Sequence, residues 1–210
     1  MSISQRMVFY NSIAALASIS ICLPLLNFSL NTTRSNYLLL PSRKIVSEWL
    51  DGKPNTWTVS QWAEARKSAV YALDLDKENP DIYRLLAYMY AQRGGLANNS
   101  ELSRIYLASS LSWFKKAMSM RPSNPWAMSA YVRVATLSDS ADYDVWRVWI
   151  LANTAAPFEY GVQSDLMASV VGAAGVVPNG ILDSVNRKQN SGDARLRRMV
   201  SETIQLGVGR

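Results

Sequence analysis

The chain contains no histidine, and its single cysteine is Cys22. Histidine and cysteine are the commonest zinc ligands and histidine is the usual general base, so the usual zinc sites and catalysis by Ser/His/Asp or Cys/His sets are excluded. A single cysteine also rules out an internal disulfide. The sixteen acidic residues leave a catalytic carboxylate pair open, but their spacing singles out no pair. We therefore predict no catalytic residue, no metal site and no cofactor, and we expect that the protein is not an enzyme.

The chain also lacks a concentrated basic stripe, although its formal net charge is +6. Its basic residues are spread along the whole sequence. The one tight cluster, Arg195, Arg197 and Arg198, is more typical of a solvated helix face than of a phosphate or lipid site. Domains that bind nucleic acid usually present a basic patch on one surface. We therefore predict no nucleic-acid partner.

One long apolar segment lies near the N-terminus. Met7–Leu26 holds fifteen apolar residues in twenty, and no charged residue occurs between Arg6 and Arg34. Twenty helical residues span about 30 Å, the thickness of the bilayer hydrocarbon. The alternative is a signal peptide cleaved after Ala15–Ala17, but cleavage there would leave Ile19–Leu26 exposed on the mature chain. We predict an uncleaved, single-pass anchor helix over residues 1–30, with the rest of the chain outside the cytoplasm.

Beyond the apolar segment, breakers and capping residues divide the sequence into helices. Residues 31–41 are expected to form a polar linker, and residues 42–207 a helical domain. No alternating strand pattern is found, so the predicted fold class is all-α, with about eight helices after the anchor. The expected helices are Ser42–Leu50, Thr58–Leu75, Pro80–Arg93, Asn99 or Ser100 to Met120, Pro125–Leu137, one from near Asp142, Pro157–Gly172, and a final pair of which one is bracketed by Pro178 and Gly192.

Two nine-residue segments of this domain repeat one another. Residues 72–80 and 117–125 each finish an amphipathic helix, form a short polar turn and restart with proline. Pro157 is expected to begin a third, looser copy. A helix–turn–helix unit cannot bury its apolar face alone, so repeated units of this kind stack on their neighbours.

These segments resemble the tetratricopeptide repeat, in which a repeat closes with Ala-Leu-x-Leu-Asp-Pro and the next helix carries aromatic and small residues at fixed steps. The second copy departs from that pattern, with Val132 at the small position and Ala135 at the aromatic one. The matching positions are Tyr83, Leu86, Ala87, Tyr90 and Gly94, followed by Phe114, Ala117 and Pro122. The resemblance implies a tetratricopeptide-like helical repeat domain that binds protein partners.

A narrower resemblance covers most of the chain. The N-terminal span, the Asn-Pro-Asp at residues 79–81, the Arg-Pro-x-x-Pro-Trp-Ala at 121–127 and the Pro-Phe-Glu at 157–159 are similar to VpsP-type proteins of bacterial exopolysaccharide gene clusters. The resemblance implies an inner-membrane protein with a periplasmic domain, acting as an interaction scaffold in a polysaccharide synthesis or export assembly. A carbohydrate-binding or carbohydrate-modifying subunit is the alternative.

The tetratricopeptide resemblance also implies a partner-binding groove along the first helices of the repeats. Two arginines and two aromatic rings in such a groove would suit an acidic peptide tail or an anionic glycan. Both arginines are expected to be exposed, so that their joint replacement would leave stability unchanged. The implied groove residues are Arg84, Tyr88, Gln92, Trp126, Ser129 and Arg133.

A further aromatic stripe comprises Tyr143, Trp146 and Trp149. Its helical spacing is most simply explained by packing in the core. A platform on which sugar rings stack is the alternative.

Overall fold

The computed structural model describes residues 3–51, 57–173 and 177–190, and five residues beyond them. The side chains of residues 1–15 and 17 are outside the described part. The described residues form nine helices and no strand, which confirms the all-α prediction. The helices are α1 Ile3–Leu38, α2 Leu40–Leu50, α3 Val59–Leu75, α4 Pro80–Gly95, α5 Ser100–Met120, α6 Pro125–Leu137, α7 Tyr143–Ala155, α8 Tyr160–Gly172 and α9 Asn179–Gln189.

Asparagine, aspartate and threonine side chains fix most of the helix starts. Asn79 and Asn124 accept hydrogen bonds from the first backbone N–H groups of α4 and α6, and both helices open with proline. Asp142 caps α7 in the same way, and Thr58 forms a capping box at the start of α3. The predicted starts of these four helices are confirmed to within one residue. The last predicted helix, beyond residue 192, falls mostly outside the described residues.

The turns between paired helices repeat closely. Asp76, Arg121 and Ala156 end α3, α5 and α7 with nearly the same backbone angles, φ −143, −137 and −141° and ψ 70, 78 and 64°. The third copy of the repeated turn is therefore present. Pro157 lies inside this turn, however, and α8 begins at Tyr160. The prediction that Pro157 opens the helix is wrong, because this proline follows the end of α7 instead of occupying the first position of α8.

The segment expected to be a polar linker, residues 31–41, is helical. It comprises the end of α1 and the start of α2. A buried serine of this segment contacts α3: Ser35 Oγ donates to the Ala72 carbonyl at 3.2 Å. Ser42, which directly follows the segment, makes a similar contact, because its Oγ donates to the Ala65 carbonyl at 2.8 Å. The polar composition of this segment predicted a linker, but its polar side chains make helix–helix contacts. Composition alone does not distinguish a polar linker from a helix that packs through its serines.

Of the anchor expected over residues 1–30, the part from Ile3 onward is described, and it is the N-terminal part of α1. Half of its apolar segment consists of residues whose side chains lie outside the described part. Within the described ranges, no helix is long and apolar enough to cross a membrane.

A single buried core runs along the helical stack from α2 to α9. Trp62 Nε1 donates to the Met89 carbonyl at 3.2 Å, and Trp149 Nε1 donates to the Leu166 carbonyl at 3.0 Å. Indoles at these positions bury large apolar area and still satisfy their N–H groups. Trp146 is buried as well, so the core interpretation holds for both tryptophans of the α7 stripe. Tyr143, the third member of that stripe, is exposed.

The C-terminal helix α9 is held by apolar and polar contacts. Ile181 and Val185 are buried against the core. Lys188 Nζ donates to Asn153 Oδ1 of α7 and to Gln163 Oε1 of α8. Burial lowers the pKa of Lys188 to about 8.

Candidate functional site

A cavity of about 420 Å³ opens between α2, α4 and the start of α6. We call it the Arg84 cavity. Its walls combine two arginines and one carboxylate with apolar and aromatic side chains. The lining residues are Arg43, Val46, Ser47, Leu50, Asp81, Arg84, Leu85, Tyr88 and Trp126.

The cavity carries an excess of positive charge beside the start of α4. Arg84 contacts Asp81, one turn earlier, at 3.1 Å, and Arg121 reaches the other oxygen of the same carboxylate at 3.8 Å. Arg43 donates to Asn36 Oδ1 at 2.8 Å, an amide that carries no charge. The guanidinium groups of Arg43 and Arg84 therefore line the cavity beside a single carboxylate, that of Asp81. This carboxylate also contacts a third guanidinium group, that of Arg121. An anionic group entering here would be stabilised by charge-assisted hydrogen bonds.

Trp126 forms the cavity wall on the α6 side and is 39% exposed. Its position depends on Gly161 of α8. A Cβ at residue 161 would lie 2.4 and 2.5 Å from two atoms of the Trp126 ring, which is far inside van der Waals contact. The indole therefore lies directly against the α8 backbone, and its free face is held at a fixed place beside the cavity.

A second polar network lies next to the cavity, between α6 and α8. Arg133 Nη1 contacts Asp165 Oδ1 at 2.7 Å, and Ser129 Oγ donates to Asp165 Oδ2 at 3.4 Å. The Asp165 side chain is only 13% exposed, whereas that of Arg133 is 44% exposed. Burial raises the pKa of Asp165, and the Arg133 charge and hydrogen bond oppose the rise. Arg133 thus neutralises a buried carboxylate, so we expect it to contribute to the fold, in contrast to the expectation from the sequence that its replacement would leave stability unchanged.

Tyr88 separates the cavity from this network. Its ring packs edge-on against Phe114, with centroids 5.2 Å apart, and against Trp49 at 6.3 Å. Burial and the nearby Asp165 charge raise the pKa of Tyr88, and the charges of Arg84 and Arg133 lower it. Tyr88 therefore stays a neutral phenol that both polar clusters surround.

The six residues of the predicted groove divide into three groups. Arg84, Tyr88 and Trp126 are brought together at the Arg84 cavity. Ser129 and Arg133 belong to the Asp165 network instead. Gln92 is buried one turn beyond Tyr88, and its Oε1 has no hydrogen-bond partner among the described residues. A partner molecule at the surface could reach Arg84 and Trp126, but Gln92 and Ser129 are closed to it.

The sequence reasoning missed the wall that α2 contributes. Arg43, Ser47 and Leu50 recur at steps of four and three residues, so they lie on one helix face. That spacing was readable in the sequence. The predicted groove did not include α2, because this helix precedes the first segment that resembles a repeat. In the structure, however, α2 packs on α4 in the way that the first helix of a preceding repeat would.

The geometry limits the chemistry of this site. Among the residues that line the cavity, Asp81 is the only acid, so a pair of carboxylates for glycoside hydrolysis is not present there. In the described ranges no three metal-ligating side chains cluster together. The cavity has the groups to bind an anion beside an apolar surface.

Comparisons with family models, with curated proteins and with solved structures found no match to this chain.

Proposed function

We propose that this protein is an interaction scaffold whose Arg84 cavity binds an acidic segment of a partner protein. The observation that carries the proposal is the pairing of Arg43 and Arg84 with the exposed Trp126 around one cavity that holds a single carboxylate. Guanidinium groups suit planar, two-point contact with carboxylates, and a fixed indole supplies apolar area beside them. A volume of about 420 Å³ accommodates a few side chains of a peptide.

We further propose that α1 anchors the scaffold in a membrane. Eight large apolar residues between positions 16 and 30 are exposed, and they lie on two opposite faces of the helix. A protein partner would cover one stripe of such a helix, whereas lipid surrounds it completely. The exposed residues are Leu16, Ile19, Ile21, Leu23, Leu25, Leu26, Phe28 and Leu30. The bacterial inner membrane, a periplasmic domain and an exopolysaccharide assembly are proposed from the sequence resemblance alone.

Carbohydrate binding is a second candidate for the same cavity. Trp126 presents an exposed ring next to Arg84, and flat rings of this kind stack on pyranose faces while arginine binds a uronate carboxylate. The single lining carboxylate disfavours a carbohydrate-modifying reaction. Apolar walls contributed by Val46, Leu50 and Leu85 favour a peptide, because sugars bring few aliphatic groups to such a surface.

Site-specific photo-cross-linking tests the proposal directly. A photoreactive residue at Ser47, on the cavity wall, should cross-link to a protein in native membranes, and mass spectrometry should place the contact in an acidic segment. The same residue at Arg147, which is exposed on α7 away from the cavity, is the matched control. A contact formed equally well from both positions, or adducts that contain only glycan, would contradict the assignment to an acidic peptide.

A further inference from the structure

A second cavity, of about 530 Å³, lies between the end of α1 and α3. We call it the Tyr71 cavity. Its wall is mostly apolar and contains one cation. Two tyrosines stand at its edge, Tyr37 at 74% and Tyr71 at 57% exposure. The lining residues are Thr33, Arg34, Tyr37, Leu38, Tyr71 and Leu75.

The continuity of α1 determines where this cavity lies relative to the apolar segment. The helix runs without interruption from the exposed apolar residues to Leu38. With a rise of 1.5 Å per residue, Arg34 lies about 6 Å and Tyr37 about 10 Å beyond Leu30, the last of those residues. The headgroup layer adds about 5–8 Å to each side of the hydrocarbon. A bilayer that covers α1 as far as Leu30 therefore places Arg34 among the headgroups.

The contacts of α1 with α3 fix the rest of the cavity at the same depth. Ser35 of α1 meets Ala72, and Ser42 of α2 meets Ala65, so the chain from the end of α1 into α2 runs antiparallel to α3, and the C-terminal end of α3 lies on the same side as the apolar segment. Both contacts use buried side chains, which leaves α3 little freedom to turn away. The α3 side of the cavity, Tyr71 and Leu75, is therefore held in place beside the C-terminal end of α1 and faces the same surroundings.

The side chains of the cavity match the layered chemistry of a phospholipid. Arginine binds phosphate oxygens, and tyrosines are enriched at the membrane–water interface, at the level of the headgroups. Leu75 supplies apolar surface beside the glycerol, and Leu38, about 12 Å beyond Leu30, closes the wall on the water side. A neighbouring cavity adds Lys67 and Glu64, whose charges cancel. The cavity thus has a cation for one phosphate and no excess of positive charge for a doubly anionic headgroup.

We propose that the Tyr71 cavity binds the phosphodiester and adjoining glycerol of a membrane phospholipid, with Arg34 contacting the phosphate. The proposal rests on the membrane anchoring proposed above. It adds a specific lipid contact to that anchoring, and it orients the domain with α3 facing the bilayer surface. Because phosphate is common to zwitterionic and anionic phospholipids, both should occupy the site.

Spin-label quenching in nanodiscs tests the lipid contact with the full chain. In a Cys22→Ser background, Tyr71→Cys carries a fluorophore as the only labelled thiol, and Tyr143→Cys, exposed on α7, is the matched control. Phospholipid that is spin-labelled at the headgroup should quench position 71 several-fold more than position 143. This should hold in discs of phosphatidylcholine and in discs that also contain phosphatidylglycerol. Arg34→Gln should lower quenching at position 71, whereas Arg147→Gln should not.

The outcomes separate the lipid site from the anchor. A chain that alkaline carbonate releases from native membranes would overturn the anchor, and the lipid site with it. A chain that stays in the membrane while position 71 is quenched no more than position 143 would overturn the lipid site alone. Quenching that requires phosphatidylglycerol, or that Arg34→Gln leaves unchanged, would overturn the phosphate contact.

Discussion

Replacing Arg133 by alanine should destabilise the protein, although the arginine is partly exposed. The substitution would leave Asp165, which is 13% exposed, with only the 3.4 Å contact from Ser129. Removing one partner of a fully buried ion pair costs about 3–5 kcal/mol, whereas exposed pairs contribute about 0–1 kcal/mol. Arg133 is 44% exposed, so we expect an intermediate loss of about 2 kcal/mol. For a chain of this size that lowers the thermal midpoint by about 4–8 °C.

The pH dependence identifies the cause of this loss. Burial already raises the pKa of Asp165, and removing the Arg133 charge should raise it further. A folded pKa above the unfolded value means that the folded state gains stability as the pH falls through that window and the carboxylate takes up a proton. The deficit of Arg133→Ala should therefore shrink as the pH falls from 7 towards the unfolded pKa of about 4.

Thermal and denaturant unfolding across this pH range measure the effect. Arg84→Ala is the matched control, because its partner Asp81 is 43% exposed and keeps its hydration when the arginine is removed, whereas Asp165 is 13% exposed. That variant should change the free energy of unfolding by less than about 1 kcal/mol. Equal losses in the two variants, or a deficit of Arg133→Ala that is independent of pH, would refute the assignment of Arg133 to the fold.

Two further predictions concern other parts of the domain. Gly161→Ala should displace the Trp126 ring, lower the free energy of unfolding by about 1–3 kcal/mol and weaken partner binding. Gly172→Ala is the control, because its added methyl group meets no atom within 4 Å, and it should change neither stability nor binding. Unfolding and binding assays on both variants test this. Because burial lowers the Lys188 pKa from 10.5 to about 8, the unfolded chain binds more protons between these values, and stability should rise with pH there. Lys188→Met should lack that rise, and matching pH profiles for the two proteins would contradict it.

The helices were largely predictable because local residues determine them. Asn79 and Asn124 cap helices that open with proline, and each signal lies within four residues of the boundary it sets. Pro157 misled the prediction because proline is favoured both at a first helical position and just after a helix end. The helical state of residues 31–41 was not predictable, since it depends on contacts with α3, more than twenty residues away.

The candidate site was predictable only in part. The repeat resemblance placed Arg84, Tyr88 and Trp126 on one surface, and the structure brings them together. It also placed Arg133 there, but the partner that binds this arginine, Asp165, lies 32 residues away on another helix. Periodicity gives the face of a helix on which a residue lies. It does not tell whether the neighbouring helix presents a counter-ion that turns a surface residue into a structural one.

The affinity of the cross-linked partner segment for the Arg84 cavity tests the central claim most directly. Titration of the purified chain with the acidic peptide identified from Ser47 should show binding that weakens with added salt. Charged hydrogen bonds contribute about 1.5–3 kcal/mol each, so Arg43→Ala with Arg84→Ala should lower the affinity at least about tenfold without loss of fold. Arg147→Ala should leave it unchanged. An affinity that the double variant retains in full would contradict the proposal that this cavity is the binding site.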